Sequence, residues 1–143
     1  MPRLHAVVGT LALALALSAV AALPARADAL SQEQLQAAAR VFTGTAQCEF
    51  KQQVSLTAVA GQPGHFRLAF KNAHYDMVPV ETSTGAVRLE DARAGVVWLQ
   101  IPAKSMLLNS RLGHRMLDDC RQAEQVAVAQ GGHQLGLTTA TSR

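Results

Sequence analysis

The sequence predicts a mainly β domain: a small antiparallel barrel or sandwich, closed by one disulfide and carrying short helical ends. Three observations lead there. Between residues 46 and 120 apolar side chains recur with a period of two, as in Val87 and Leu89 against Arg88 and Glu90, or Phe66, Leu68 and Phe70 against His65, Arg67 and Lys71. The runs are short and separated by Gly-bearing breaks of three to five residues, the pattern of consecutive hairpins. Cys48 and Cys120 bracket the whole stretch.

Residues 1–27 read as a signal peptide. Arg3 and His5 form a polar start, residues 7–23 are almost wholly apolar, and Pro24 breaks the run before Ala25-Arg26-Ala27, a small-x-small cleavage pattern. The expected location after cleavage near Ala27 is periplasmic or secreted. No cysteine near the cut points to a lipid anchor, and no stable membrane insertion is expected afterwards. Removing 27 of the 143 residues leaves 116, enough for one small domain and too few for two. The leader contains two of the 13 Lys/Arg and none of the ten Asp/Glu, so the remainder has eleven cations against ten acids, a net charge of +1. With no basic cluster and no aromatic interleaving, a nucleic-acid partner is not expected.

Residues 28–42 read as an N-terminal helical segment. Ser31 followed by Gln34 resembles a capping box, and the alanines at 37–39 favour helix. Residues 43–121 read as the β domain. Its first strand places Cys48, Phe50, Val54, Leu56 and Ala58 on one side and Glu49, Lys51, Ser55 and Thr57 on the other, with a slip near Gln52-Gln53 expected as a bulge or strand break. Residues 60–64 are a turn by composition. Strands follow at 66–70 and 75–80, where Pro79 marks an edge or a strand end. Further strands run through Val87-Leu89, Val96-Ile101, Met106-Leu108 and Met116-Leu117. Residues 122–143 are expected to form a short helix to Gln130 and then a disordered tail.

An even pair of cysteines in an exported chain predicts a disulfide. Closing a loop of about 70 residues stabilises the fold by roughly 4 kcal/mol on the chain-entropy model. Metal and catalytic chemistry find little support. His65, His74 and His114 have no second His or Cys at i+2 or i+4, and Met77, Met106 and Met116 sit within apolar runs as core filler. The carboxylate neighbours Glu90-Asp91 and Asp118-Asp119 lie beside Arg93 and Arg115, and no serine has a nucleophile-elbow frame. The expectation is a non-enzyme with no catalytic residue, no metal and no cofactor. What stands out is the hydroxyl-rich loop of residues 81–86, with Gly85 able to take positive φ, since binding residues favour loops on a rigid scaffold.

In that frame the chain resembles the periplasmic and membrane-bound inhibitors of c-type lysozyme. Those proteins combine an early cysteine, a Ser-Gly-x-x-Tyr loop, a later Trp-Thr-Lys-Gly stretch and a terminal cysteine. Here the corresponding stretches are Cys48-Glu49-Phe50, Thr82-Ser83-Thr84-Gly85-Ala86-Val87-Arg88, Val97-Trp98-Leu99-Gln100 and Cys120. The family's loop Ser falls on Thr84, its Tyr on Arg88 and its Lys on Gln100; Lys104 takes the Lys role only through a shift of four positions. The resemblance implies a small disulfide-closed barrel with a c-type lysozyme as partner, its loop entering the enzyme cleft. Thr84, Gly85, Arg88 and Lys104 are then the partner-binding residues. A structural or small-ligand-binding periplasmic barrel with no enzyme target is the alternative, and a metal-handling protein a third reading. Oligomeric state is not legible.

Overall fold

Alternation of period two becomes strand and each Gly-bearing break becomes a hairpin turn. The computed structural model describes residues 29–136; the expected leader at 1–27 and the last part of the expected tail, 137–143, lie outside them. In chain order the elements are α1 (Gln32–Ala38), β1 (Gly44–Gln47), β2 (Gln53–Ala58), β3 (Phe66–Phe70), β4 (Ala73–Val80), β5 (Val87–Asp91), β6 (Val96–Gln100), β7 (Ser105–Asn109), β8 (His114–Cys120) and α2 (Ala123–Gly136). The eight strands pair in sequence order, each antiparallel to the next.

The meander curls into a nearly closed barrel. Gln47 and Arg121 exchange backbone hydrogen bonds of 3.0 and 2.8 Å, one rung joining the last residue of β1 to the residue after β8. The Cys48–Cys120 disulfide sits beside that rung. Because the C-terminal limit of β8 meets the C-terminal limit of β1, β8 overhangs β1, the stagger that closing a sheet demands. The turns after β1, β3, β5 and β7 gather at one end of the barrel. Those after β2, β4 and β6 gather at the other, with both helices.

Inward-facing residues fill the interior. Leu56, Leu68, Met77, Leu89, Trp98 and Leu107 are all fully buried. An eight-stranded barrel leaves room inside for about this much side chain, and the apolar burial drives its closure. Pro79 marks the point where β4 leaves β3: β3 pairs only as far as Met77, and β5 takes Val78, Pro79 and Val80. A residue without an N–H is tolerated there because one side of the strand has no sheet partner. α1 covers that side, Gln34 Nε2 donating to Pro79 O at 2.7 Å.

The helices differ from expectation in extent. The capping box forms, Ser31 Oγ accepting from Gln34 N at 3.1 Å and Gln34 Oε1 accepting from Ser31 N at 2.8 Å. Yet α1 spans seven residues rather than most of 28–42, too short to stand without tertiary contacts. α2 continues beyond Gln130 to Gly136. Its start is anchored by polar residues: Gln122, just before it, and Gln125 are buried while Val126 and Val128 are exposed.

Phe50 also departs from its expected place. Alternation puts it on the inner side with Cys48 and Val54, but residues Glu49–Lys51 form a 3₁₀ turn in which Phe50 has φ 53°. The turn reverses the side-chain direction, and Phe50 is 84% exposed. Ala58, the last residue of β2, is exposed as well.

Candidate functional site

The loop of residues 81–86 joins β4 to β5 at the helix-bearing end. Its base is pinned across its own width by Thr82 Oγ1, which donates to Ala86 O at 2.7 Å. Arg40, just after α1, donates from Nη1 to Gly85 O at 3.0 Å, and Ser31 Oγ donates to Glu81 Oε1 at 3.0 Å. Gly85 has φ +77°, which an L side chain adopts only at a cost. Ser83, Thr84 and Gly85 form an exposed tip above this braced base. Two clefts flank the loop. One, about 370 Å³, lies between it and α1 and is lined by Glu33, Ala37, Arg40 and Thr82. The other, about 330 Å³ and mainly apolar, is lined by Phe42, Gly85, Val87, Ile101, Pro102 and Val128. Arg40 borders both.

Of the four residues expected to bind a partner, Thr84 and Gly85 share the tip. Lys104 lies in the turn between β6 and β7 at the same end of the barrel, but its Nζ is 2.9 Å from Asp118 Oδ1 on β8. Asp118 also takes Arg115 Nη1 at 2.5 Å, and its backbone N–H donates to Glu49 Oε1 at 2.9 Å. The hydrogen bond from Lys104 is the main cause holding the Asp118 carboxyl below the usual carboxylate range; the Asp119 N–H and the Arg115 charge add to it, against a smaller upward push from burial. Arg88 faces the outer wall, its Nη2 2.8 Å from Glu90 Oε2, where it borders a separate cleft with Val97, Leu99, Leu108 and His114. The structure therefore brings Thr84, Gly85 and the Lys104 turn to one end and leaves Arg88 on the side.

Gln100 is the residue that sequence reasoning passed over. Its side chain points inward at 4% exposure, accepting from Phe42 N at 2.8 Å and donating to Arg40 O at 2.8 Å. This one amide ties the segment between α1 and β1 to β6, and it positions Arg40 for the loop. Gln122 and Gln125 do parallel work for α2. Gln122 Nε2 donates to Phe42 O at 2.7 Å, and Gln125 Nε2 to Ile101 O at 2.8 Å and Ser105 Oγ at 2.9 Å. The available signal was a Gln within an apolar strand, which calls for a buried partner.

Comparison of the chain with known protein families, with curated proteins and with solved structures finds no match. The functional reading therefore rests on geometry and on motif order. Gln100 is an amide engaged inside the barrel, and Lys104 is already paired with Asp118.

The other residue groups weighed from sequence are dispersed. His74 and His114 are exposed, Met77 lies in the core, and among the described residues no three His, Cys, Asp or Glu side chains are grouped to hold a metal ion. Asp91 is buried at the end of β5 and accepts from Asp76 N and Ala94 N, both at 3.0 Å. It ties β4 to the turn between β5 and β6. No helix among the described residues is long and apolar enough to cross a membrane.

Proposed function

We propose that this is a non-enzymatic binding protein of the bacterial envelope, exported and oxidised, whose working element is the tip Ser83-Thr84-Gly85, and that its target is a c-type lysozyme. One observation supports this most: an exposed, hydroxyl-bearing tip held on a base braced by the Thr82–Ala86 and Arg40–Gly85 hydrogen bonds. A preorganised loop loses less entropy on binding than a free one. The Thr84 hydroxyl and the Gly85 amide supply donors suited to a carboxylate in an enzyme cleft.

Arg88 and Lys104 drop to secondary roles in this reading. Each would have to leave a carboxylate to meet a partner, so they supply less binding than free cations do. The filled interior counts against a ligand held inside the barrel, and a small apolar ligand would have to sit in the cleft beside Gly85, lined by Phe42 and Val87.

The test is residual lysis of cell-wall substrate by a c-type lysozyme with rising amounts of the oxidised protein. Inhibition near equimolar ratio, weakened at least about tenfold by Thr84→Ala with Gly85→Val, is the expected outcome; tenfold corresponds to about 1.4 kcal/mol. Full lysis at a large excess of protein rejects the lysozyme target.

A further inference from the structure

The opposite end of the barrel has a distinct surface. Phe50 and Leu112, 84% and 71% exposed, are the two most exposed large apolar residues among those described. They sit on different turns, after β1 and after β7, yet both turns belong to this end. Around them stand Lys51, Lys71, Arg111, His114 and Arg115, all exposed. Lys51 and Lys71 make no ion pair among the described residues, and Lys71 Nζ lies 5.1 Å from the centroid of the Phe70 ring. Arg111 is bound to the carbonyls of Ala92 and Arg93 and so keeps its charge unneutralised by any carboxylate there.

The backbone holds this arrangement against local preference. Phe50, Lys51 and Lys71, at φ 53°, 59° and 54°, are three of the four non-glycine residues with positive φ among those described. For a bulky aromatic residue that conformation is costly and persists only where surrounding structure enforces it. Here Cys48 N donates to Gln52 O at 2.8 Å, Gln52 N donates to Glu49 O at 3.1 Å, and Glu49 Oε1 holds Asp118 N at 2.9 Å. The Cys48–Cys120 disulfide fixes the start of the same turn. The ring that alternation would bury is instead locked outward.

We propose that this end of the barrel docks on the surface of an anionic lipid bilayer. Phe50 and Leu112 enter the headgroup boundary while Lys51, Lys71 and Arg111 meet lipid phosphates; Arg115 is engaged by Asp118. Charge complementarity selects an anionic occupant. The shape selects a lipid surface: two separate apolar tips on convex turns need no matching pockets in a fluid interface, whereas a protein partner would have to supply one for each. The shallow cleft of about 400 Å³ between Phe50, Phe70, Lys71 and Arg115 is open enough to admit a headgroup. Docked this way, the protein keeps its helix-bearing end and the tip at Thr84 directed away from the membrane. The proposal stands independently of the lysozyme reading.

The experiment is co-sedimentation of the oxidised protein with vesicles of phosphatidylcholine alone or with one-quarter phosphatidylglycerol, at low and raised salt. Two double variants accompany it: Phe50→Asn with Leu112→Ser, and Lys51→Ala with Lys71→Ala. Asn tolerates the left-handed turn, and circular dichroism with a thiol count verifies that each variant is folded and oxidised. Binding to the anionic vesicles alone, falling with salt and weakened about tenfold or more by each pair, is expected. Equal binding to neutral vesicles, binding unchanged by both pairs (as an uncleaved apolar leader would give), or no sedimentation with anionic vesicles at low salt overturns it. In the last case the same face would have to be sought as a contact for an acidic protein.

Discussion

Gln100 braces the helix-bearing end through its side-chain amide. Both halves of its amide are used on the backbone at Arg40 and Phe42, so Gln100→Ala leaves an N–H and a carbonyl without their partner. The expected loss is about 2 kcal/mol, seen as a lower urea midpoint with unchanged slope. The loop at 81–86 should loosen with it, because Arg40 braces Gly85. Asp118 provides a second test at this scale. Its carboxyl titrates below the usual range because Lys104, and then Asp119 N–H and Arg115, favour the charged form. The sign follows: its contribution is complete above the unfolded-state value near pH 4 and is lost as pH falls through the lowered folded value. The stability gap between wild type and Asp118→Asn should therefore be level from about pH 5 to 7 and close at lower pH; a gap that widens on acidification contradicts the assignment. These partners explain why the site was only half legible. Thr84 and Gly85 stand out by local composition, whereas the pairing of Lys104 with Asp118 and of Gln100 with residues 40 and 42 depends on strands brought together by the fold.

Among the elements, α1 shows how a marginal helix is kept in place. Leu35 of the helix and Leu30, just before its cap, lie over Gly64 in the β2–β3 turn, where a Cβ would strike Leu30 Cδ1 and come within 3.2 Å of Leu35 Cδ2. Gly61, in the same turn, has similar positive φ but open space around it. Alanine at either position carries a comparable backbone cost of about 1 kcal/mol, so their difference isolates the helix contact. Gly64→Ala should lower stability by about 1 kcal/mol more than Gly61→Ala, and a Leu30→Ala background should narrow that difference. Equal losses would mean that α1 is not docked there in solution. The strands themselves were readable because most have one buried face, and β2, β4, β5 and β7 end in a Gly-bearing turn. Phe50 was misplaced for a specific reason: alternation assumes a continuous strand, and the 3₁₀ turn between β1 and β2 interrupts it. The start of α2 carries no apolar stripe, since the buried side chains there are Gln122, just before it, and Gln125.

For the molecule as a whole, the decisive feature is how little closes the sheet. Every other pair of neighbouring strands shares several rungs, while β1 and β8 are joined through the single Gln47–Arg121 exchange and the adjacent disulfide. Alternation could not separate a barrel from a sandwich, since both bury one face of every strand; the stagger that decides it is a long-range property. Cys48 and Cys120 are 72 residues apart, and on the chain-entropy model their bond is worth roughly 4 kcal/mol, a large share of the stability of a domain this size. Reduction should therefore act in two ways. Globally, Cys48→Ser with Cys120→Ser should lower stability by roughly that amount. Locally, one backbone rung cannot hold the seam against fraying, so the amides of Gln47 and Arg121 should lose hydrogen-exchange protection well before those of β5 and β6, whose five paired positions are untouched. The turn bearing Phe50 begins at Cys48, so its left-handed geometry should relax with the seam and anionic-vesicle binding should fall in the reduced protein. Uniform loss of protection across all eight strands would show instead that the disulfide stabilises the barrel as one cooperative unit, with the seam no weaker than the rest.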